Sequence, residues 1–479
     1  ASAAAPQPVP PIAPAPLPPL TAPAVTAKMA PMPTPTSVVS APARVATTPP
    51  PAPLPPLISG AAPAPVQVAG NGYVTPTMAA PSFPNAGQNA LSQMFAASLA
   101  VASSVALWAA PAQSEEFVIG AVNAHTSFMA AYDAPFMQGV NMYVEQANKN
   151  GGLLGKYPIR LIERDDASDP QKAAVAGTEM IRKENLNMFI SSALSPQAIA
   201  SGNIVAKKNL LIMHTIASQP TIPARAGEGS YLVMMSDAHM GGVYAKFARN
   251  DLKAKTAYIV TSDFDPYTEF LPVYFKDLFE KEGGKVTGSS TFAYDQQEFS
   301  KVVSAIKAMP EEPDVIVAMP FDNDFPIFIN QLRAAGIKSA YFGPDVLDQP
   351  SVKGLGKVVD GVYYVTMAAP STSDSAGAFV KAYETKYGNA DAFYPAMVGY
   401  SAMRMVEAAA KAAGSVEPKA LRDAFGQLEN VETEIGAVTF KGVGKAPNLP
   451  VHIMQIKSGE GNYIKSIKLD PSEIPATRK

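Results

Sequence analysis

The feature that most constrains the fold is the run 139–173, in which a helix, a glycine turn, an apolar strand and a second helix start follow one another. The helix is expected to end at Asn150-Gly151-Gly152, because glycine enters the left-handed backbone region without steric cost. A strand is predicted over Ile159–Ile162. Asp169-Pro170 then supplies a capping oxygen and a proline suited to a first helical turn. This order is typical of an α/β domain.

The same alternation continues along the chain. Strands are predicted at Phe117–Val122, Ile159–Ile162, Met188–Ile190, Leu210–Met213, Ala257–Thr261, Val286–Phe292, Asp314–Met319, Ala340–Phe342, Val362–Thr366 and Val451–Lys457. Helices are predicted at Gln171–Lys183, Pro196–Lys207, Glu298–Ala308 and Phe325–Ala335, with a helix-rich stretch at 374–428. Strands that are apolar on both faces and alternate with helices indicate parallel sheets covered on each side. We therefore expect an α/β fold of two doubly wound parallel-sheet lobes, 115–236 plus 369–450 and 237–368 plus 451–479.

The first part of the chain has a different composition. Residues 1–112 contain no Asp or Glu, and their formal charges are Lys28 and Arg44. About half of the 46 prolines lie there, in Pro/Ala-rich repeats. Such a segment buries too little apolar surface to offset the entropy lost on ordering. We predict that residues 1–93 are disordered or polyproline II, acting as a spacer, a tether or without a role. A plain linker or a misplaced translation start is favoured over an SH3-type ligand.

Residues 94–112 form an uncharged apolar stretch that ends in Ala110-Pro111-Ala112. The length and the A-x-A end suggest a signal peptide with cleavage before Gln113, and a membrane anchor is the alternative. The chain has no cysteine, so we expect neither disulfides nor a lipid anchor, and an exported soluble product. From Gln113 onward the chain has 36 of the 38 basic residues and all 41 acidic ones, so its net charge is negative. A negative net charge argues against a nucleic-acid partner.

Two polar loops follow neighbouring strands of the first lobe. Ser195-Pro196 opens a helix after the third strand, with Ser195 as the expected N-cap, and the loop 214–220 follows the fourth. Helix N-termini offer unpaired N–H groups and partial positive charge. The two loops are predicted to converge on one anion such as a carboxylate. The alternative interpretation is that Ser195 only caps its helix.

Acidic residues follow three strands of the second lobe. They lie in the loops 263–267, 320–324 and 343–345. An acidic group there would pair with a ligand ammonium, although loop Asp is also a common turn former. Asp345 is the strongest candidate because it comes directly at a strand end, whereas Asp322 and Asp324 are interpreted as caps of the next helix.

These residues together resemble the leucine/isoleucine/valine-binding protein family, the type I periplasmic receptors of ABC transporters. The resemblance covers residues 117–457, approximately. Two parts are most specific: the glycine turn 150–152 together with the acidic segment 165–170, and the segment 331–337 together with 342–345 that follows it. The resemblance implies two lobes joined by a three-crossover hinge, a monomer in the periplasm and an ABC transporter permease as partner. It also implies a small-molecule ligand, expected to be an amino acid with a branched-chain or larger apolar or aromatic side chain.

The resemblance assigns site residues position by position. The carboxylate-binding serine corresponds to Ser195, and the second donor loop to Ile216, Ala217 and Ser218. The aromatic residues of the cleft correspond to Tyr132, Tyr267 and Phe321. The acidic residue that receives the α-ammonium corresponds to Asp345.

The chain departs from the family pattern at several of these places. Asp133 and Thr268 follow the two tyrosines where the family commonly has glycine, Ser218 replaces threonine, and Pro320 replaces a small residue. Asp345 is one methylene shorter than the Glu often found there. A ligand other than leucine is therefore expected, either a larger amino acid or another small carboxylate or amide.

Enzymatic motifs are missing from the sequence. No Gly-Lys pair has the spacing of a phosphate-binding loop, and no G-x-S-x-G elbow occurs. The four histidines lie far apart without paired metal-ligand spacing. We therefore predict a binding protein without metal, cofactor or catalytic residues. An envelope-tethered sensor or scaffold of the same fold is the alternative.

Overall fold

The structure is a computed structural model that describes residues 115–478 except 322, 346, 348–351 and 353. The predicted disordered arm 1–93 and the signal-like segment 94–112 lie outside the described residues. In the described part of the chain, no helix combines the length and the apolar character needed to cross a membrane.

The first sheet consists of parallel strands: β1 Phe117–Asn123, β2 Ile159–Asp165, β3 Met188–Ser191, β4 Leu211–His214 and β5 Ser230–Leu232. Their order is β2-β1-β3-β4-β5. The connecting helices are α1 Ala130–Lys149, α2 Pro170–Lys183, α3 Ser195–Val205 and α4 Ile222–Ala226. Every residue of β1, β3 and β4 is buried, as expected for strands covered by helices on both faces.

The next part of the chain repeats this pattern. Its elements are α5 Asp237–Asn250, β6 Thr256–Thr261, α6 Pro266–Lys281, β7 Lys285–Thr291, α7 Ser300–Lys307, β8 Val315–Ala318, α8 Phe325–Ala334, β9 Ala340–Phe342 and β10 Val362–Thr366. The strands pair in parallel in the order β10-β9-β8-β6-β7. This arrangement confirms the predicted α/β class with two parallel-sheet lobes.

The C-terminal part adds helices and two hairpins. The elements are α9 Asp374–Tyr387, α10 Phe393–Ala413, α11 Pro418–Phe425, β11 Val431–Thr433, β12 Gly436–Val438, β13 Val451–Lys457 and β14 Glu460–Ile467. Strands β13 and β14 extend the second sheet beyond β10 and are antiparallel to their neighbours. The second sheet is therefore mixed at one edge rather than wholly parallel.

Helices α1 and α10 approach each other very closely. A Cβ on Gly139 would lie 1.8 Å from the Ala396 carbonyl oxygen, and a Cβ on Gly399 would lie 2.1 Å from that of Phe136. Glycine at both positions lets the two backbones touch, so α10 packs against the helix that follows β1. The C-terminal helices therefore belong with the first sheet.

The chain passes between the two sheets three times, after β5, after β10 and before β13. We propose the lobe boundaries 115–236 plus 369–450 for the first lobe and 237–368 plus 451–479 for the second. The sheet to which each strand belongs supports this division. So do contacts of the C-terminal part with the first lobe, such as the Tyr383 hydroxyl donating to Gln138 Oε1 at 2.6 Å.

Candidate functional site

A cavity that is partly open to solvent lies between the carboxyl ends of the strands of the two lobes. We call it the cleft. Seven of the eight predicted side chains line it: Tyr132, Ser195, Ile216, Ser218, Tyr267, Phe321 and Asp345. The exception is Ala217, which is buried and packs with Ala198, Ile222, Ala226 and Leu232 in the first lobe. Lining residues that sequence reasoning did not select are Met129, Ala193, Leu194, Gln219, Asp265, Pro320 and Pro344.

The first-lobe wall of the cleft contains the N-terminus of α3. The predicted capping role of Ser195 is wrong, because α3 begins at Ser195, Leu194 holds the N-cap position and no side-chain oxygen caps the helix. Ser218 lies beside this terminus, in the loop that follows β4. Unpaired N–H groups and the partial positive charge of a helix N-terminus favour a negatively charged group. This wall therefore suits a ligand carboxylate.

The buried Asp133 holds the first-lobe loops together beneath that wall. Its Oδ1 accepts from the Ala193 N–H at 3.1 Å and the Thr215 hydroxyl at 2.6 Å. Its Oδ2 accepts from the Ala124 N–H and the Ser192 hydroxyl, both at 2.8 Å. Burial raises the pKa of Asp133 to about 6 despite these hydrogen bonds. One carboxyl thus fixes the loops that follow β1, β3 and β4.

The second-lobe wall contains Asp345, in the loop that follows β9. Its Oδ1 accepts from the Tyr267 hydroxyl at 3.0 Å, and its Oδ2 accepts from the Tyr394 hydroxyl at 3.1 Å. The side chain is buried, and this burial raises the pKa of Asp345. Tyr394 lies near the start of α10, so the carboxyl is held jointly by the second lobe and by a helix that packs on the first.

Asp265 places a second carboxyl in the same wall. Its Oδ1 accepts from the Tyr267 N–H at 2.9 Å and caps α6. Oδ2 is buried and has no hydrogen-bond partner among the described residues. Burial raises the pKa of Asp265 to about 6. The Asp-Pro-Tyr sequence signals the cap, but nothing in it shows that the other oxygen faces the cleft.

Aromatic rings line the cleft and its mouth. Phe321 lies 6.1 Å from Tyr267, measured between ring centroids. At the mouth, Phe128 of the first lobe lies 6.0 Å from Phe264 and 5.7 Å from Tyr294 of the second. Phe264 and Tyr294 stack at 3.9 Å. The two lobes therefore touch through rings at the mouth.

The ionisable side chains that line the cleft are all acidic among the described residues. The described lining contains two carboxyls and no Lys, Arg or His. The buried Asp237 interacts electrostatically with Asp265 and Asp345, and burial, followed by these two charges, raises its pKa well above the usual range. Within the described residues, no group of three or more His, Cys, Asp or Glu could hold a metal ion. The two carboxyls of the lining make the second-lobe wall favourable for a cationic group.

The sequence model of the periplasmic binding protein family matches residues 116–461. The chain belongs to this family. Among relatives of this periplasmic binding protein is the Leu/Ile/Val-binding protein BraC3 of Rhizobium johnstonii. It is 24% identical over 353 residues, which cover 73% of this chain and 94% of the relative. The predicted resemblance to leucine/isoleucine/valine-binding proteins is thus confirmed.

Solved structures show the same fold. The LivJ branched-chain amino acid binding protein of Streptococcus pneumoniae, in complex with isoleucine, has a TM-score of 0.66 and 20% identity, covering 74% of this chain and 100% of that one. A solute-binding protein of R. palustris in complex with benzoate has a TM-score of 0.63 and 22% identity, covering 73% and 96%. The fold thus accommodates both an amino acid and an aromatic acid in different proteins.

Proposed function

We propose that this protein is a monomeric periplasmic receptor that captures an amino acid in the cleft and delivers it to the permease of an ABC transporter. The observation that carries the proposal is Asp345, a buried carboxyl on the cleft wall. Its side-chain oxygens accept from two tyrosine hydroxyls, and the described lining offers it no cation. A ligand ammonium would supply the missing positive charge.

The opposite wall supports the orientation of the ligand. The N-terminus of α3 with Ser195, together with Ser218, would receive the α-carboxylate, and Asp345 would receive the α-ammonium. The rings of Tyr132 and Phe321 would then surround the ligand side chain. Each charged end of the amino acid meets groups of complementary charge on a different lobe.

A simple carboxylate such as an aromatic acid fits this cleft less well. Such a ligand would leave Asp345 and Asp265 without a positive partner in a largely apolar cavity. Buried charges without partners are strongly unfavourable. The charge of the lining therefore favours an amino acid over an acid that lacks an amine.

A thermal-shift screen of amino acids and of matching acids without an amine tests this proposal. Ligand at 100 times its Kd adds about 2.7 kcal/mol to the free energy of unfolding. Removing one partner of a buried ion pair typically costs about 3–5 kcal/mol, so Asp345→Ala should weaken the best amino acid by 100-fold or more in titration calorimetry. Asp263→Ala, an exposed acid near the same wall, is the control. Unchanged amino-acid affinity in Asp345→Ala would contradict the ammonium assignment.

A further inference from the structure

One carboxylate oxygen of Asp265 has no hydrogen-bond partner among the described residues. An amino acid with a neutral side chain has only its α-ammonium as a cation, and the proposed function assigns that group to Asp345. The Asp265 side chain is 4% exposed and lines the cleft. Oδ1 is engaged by the Tyr267 N–H, whereas Oδ2 has no partner within the described residues. A buried oxygen of this kind is unfavourable until something donates to it. The cleft is therefore incompletely satisfied on its second-lobe wall when only Asp345 is paired.

The position of Asp265 also favours a cation beside its carboxyl. The backbone N–H of Ser195, across the cleft, approaches the carboxyl closely enough to favour its ionised form, although it makes no hydrogen bond of normal geometry with Oδ2. Asp265 thus lies beside the helix N-terminus that would receive the ligand carboxylate. Two carboxylates at one terminus repel each other, and a cation next to Asp265 offsets that repulsion.

The net charge of the cleft lining also favours a ligand with a second positive charge. The described lining contributes two carboxyls and no basic side chain. A neutral zwitterion leaves this excess of negative charge unchanged. A ligand with a net charge of +1 reduces it and supplies a second donor group for Asp265.

We infer that Asp265 is a specificity-determining residue that binds a cationic side chain, so that the cleft selects basic amino acids over neutral ones. This inference rests on the proposed amino-acid function. The aliphatic stem of such a ligand would pack on the rings of Tyr132 and Phe321, and aromatic faces also attract cations. Asp265 and Asp345 would then divide the two positive charges of the ligand between them.

Titration calorimetry with two matched ligand pairs, arginine with citrulline and lysine with norleucine, tests the inference. Each pair has similar size and differs in the side-chain charge. We expect the wild type to bind the basic member at least about tenfold more tightly, as for a hydrogen bond to a charged group. In Asp265→Asn this ratio should fall to near one, because asparagine keeps the helix cap and loses the charge. Asp263→Asn is the matched control and should keep the wild-type ratio.

Other outcomes separate the two proposals. Equal affinities for both members of each pair in the wild type, or an unchanged ratio in Asp265→Asn, would overturn the inference and leave the amino-acid function standing. If the wild type bound none of the four ligands, the proposed amino-acid function itself would fail. If Asp345→Asn bound all four as the wild type does, the ammonium assignment would fail. Melting curves of each variant check folding, and Asp265→Ser, which also preserves an N-cap, replaces Asp265→Asn if that variant melts early.

Discussion

The buried His214 makes a specific prediction about how stability depends on pH. The imidazole lies at the end of β4, is fully buried, and has Nε2 2.6 Å from the Ser230 hydroxyl. Its Nδ1 has no partner among the described residues. Burial lowers the pKa of His214 to about 3, because the charged imidazolium would lose its hydration.

The direction of the effect follows from proton binding. In the unfolded chain the pKa of a histidine is about 6.5. Between this value and about 3, the unfolded state binds a proton that the native state excludes. The free energy of unfolding therefore falls as the pH falls through this window. From pH 7 to pH 5.5 the loss due to His214 alone is about 1.3 kcal/mol.

Urea unfolding of the wild type and of His214→Gln at both pH values measures this contribution. Glutamine can still bond to Ser230 and does not titrate, so lowering the pH should favour the variant relative to the wild type by about 1.3 kcal/mol. Carboxyls such as Asp133 titrate in both proteins and cancel. Ser230→Ala keeps the imidazole and should follow the pH dependence of the wild type. If His214→Gln and the wild type change equally with pH, the imidazole is not excluding a proton.

Two further variants test packing and closure. Gly139→Ala should lower the free energy of unfolding by roughly 1–3 kcal/mol or more in urea titrations, because the new Cβ would overlap the Ala396 carbonyl oxygen. Gly377→Ala is its control in α9, where the Cβ has ordinary contacts, and should not destabilise. Phe128→Ala removes two aromatic contacts across the cleft mouth, each contributing about 0.5–1.5 kcal/mol, so ligand dissociation in stopped-flow should accelerate about tenfold. An unchanged dissociation rate would show that these rings do not hold the lobes together.

Buried parallel strands could be predicted well because their sequences are continuous apolar runs. Val362–Thr366 and Ala340–Phe342 were predicted with the bounds that the structure shows. The Asp169 cap of α2 was also predicted, and its carboxyl accepts from the N–H groups of Gln171 and Lys172. In these places local chemistry and tertiary structure favour the same conformation.

The elements that escaped prediction have no such local signal. Strand β14 contains glycine, asparagine and charged residues, and all of its residues are partly or fully exposed. It forms because β13 provides a pairing edge. Strand β5 has three residues, too few for a pattern to stand out.

The same limit applies to the cleft. Strand ends and the family resemblance together identified half of the lining, since the carboxyl ends of parallel strands meet at one edge. The partnership of Asp345 with Tyr394 joins residues 49 positions apart and depends on how α10 packs. Asp265 lies in one of the acidic strand-end loops seen in the sequence, but its unpaired oxygen could not be predicted, because an Asp-Pro pair is fully explained by helix capping.

The opposed chemistry of the two walls suggests why a ligand with both charges would drive closure. Donors at the α3 N-terminus lie on the first lobe, and the carboxyls of Asp265 and Asp345 lie on the second. A ligand shifts a conformational equilibrium only by its difference in affinity for the two states. An acid without an amine would contact the first wall in open and closed forms alike and gain little from closure. In the proposed function an amino acid would gain its ammonium contacts only when the second lobe reaches it, so the groups that bind the ligand would also stabilise the closed form.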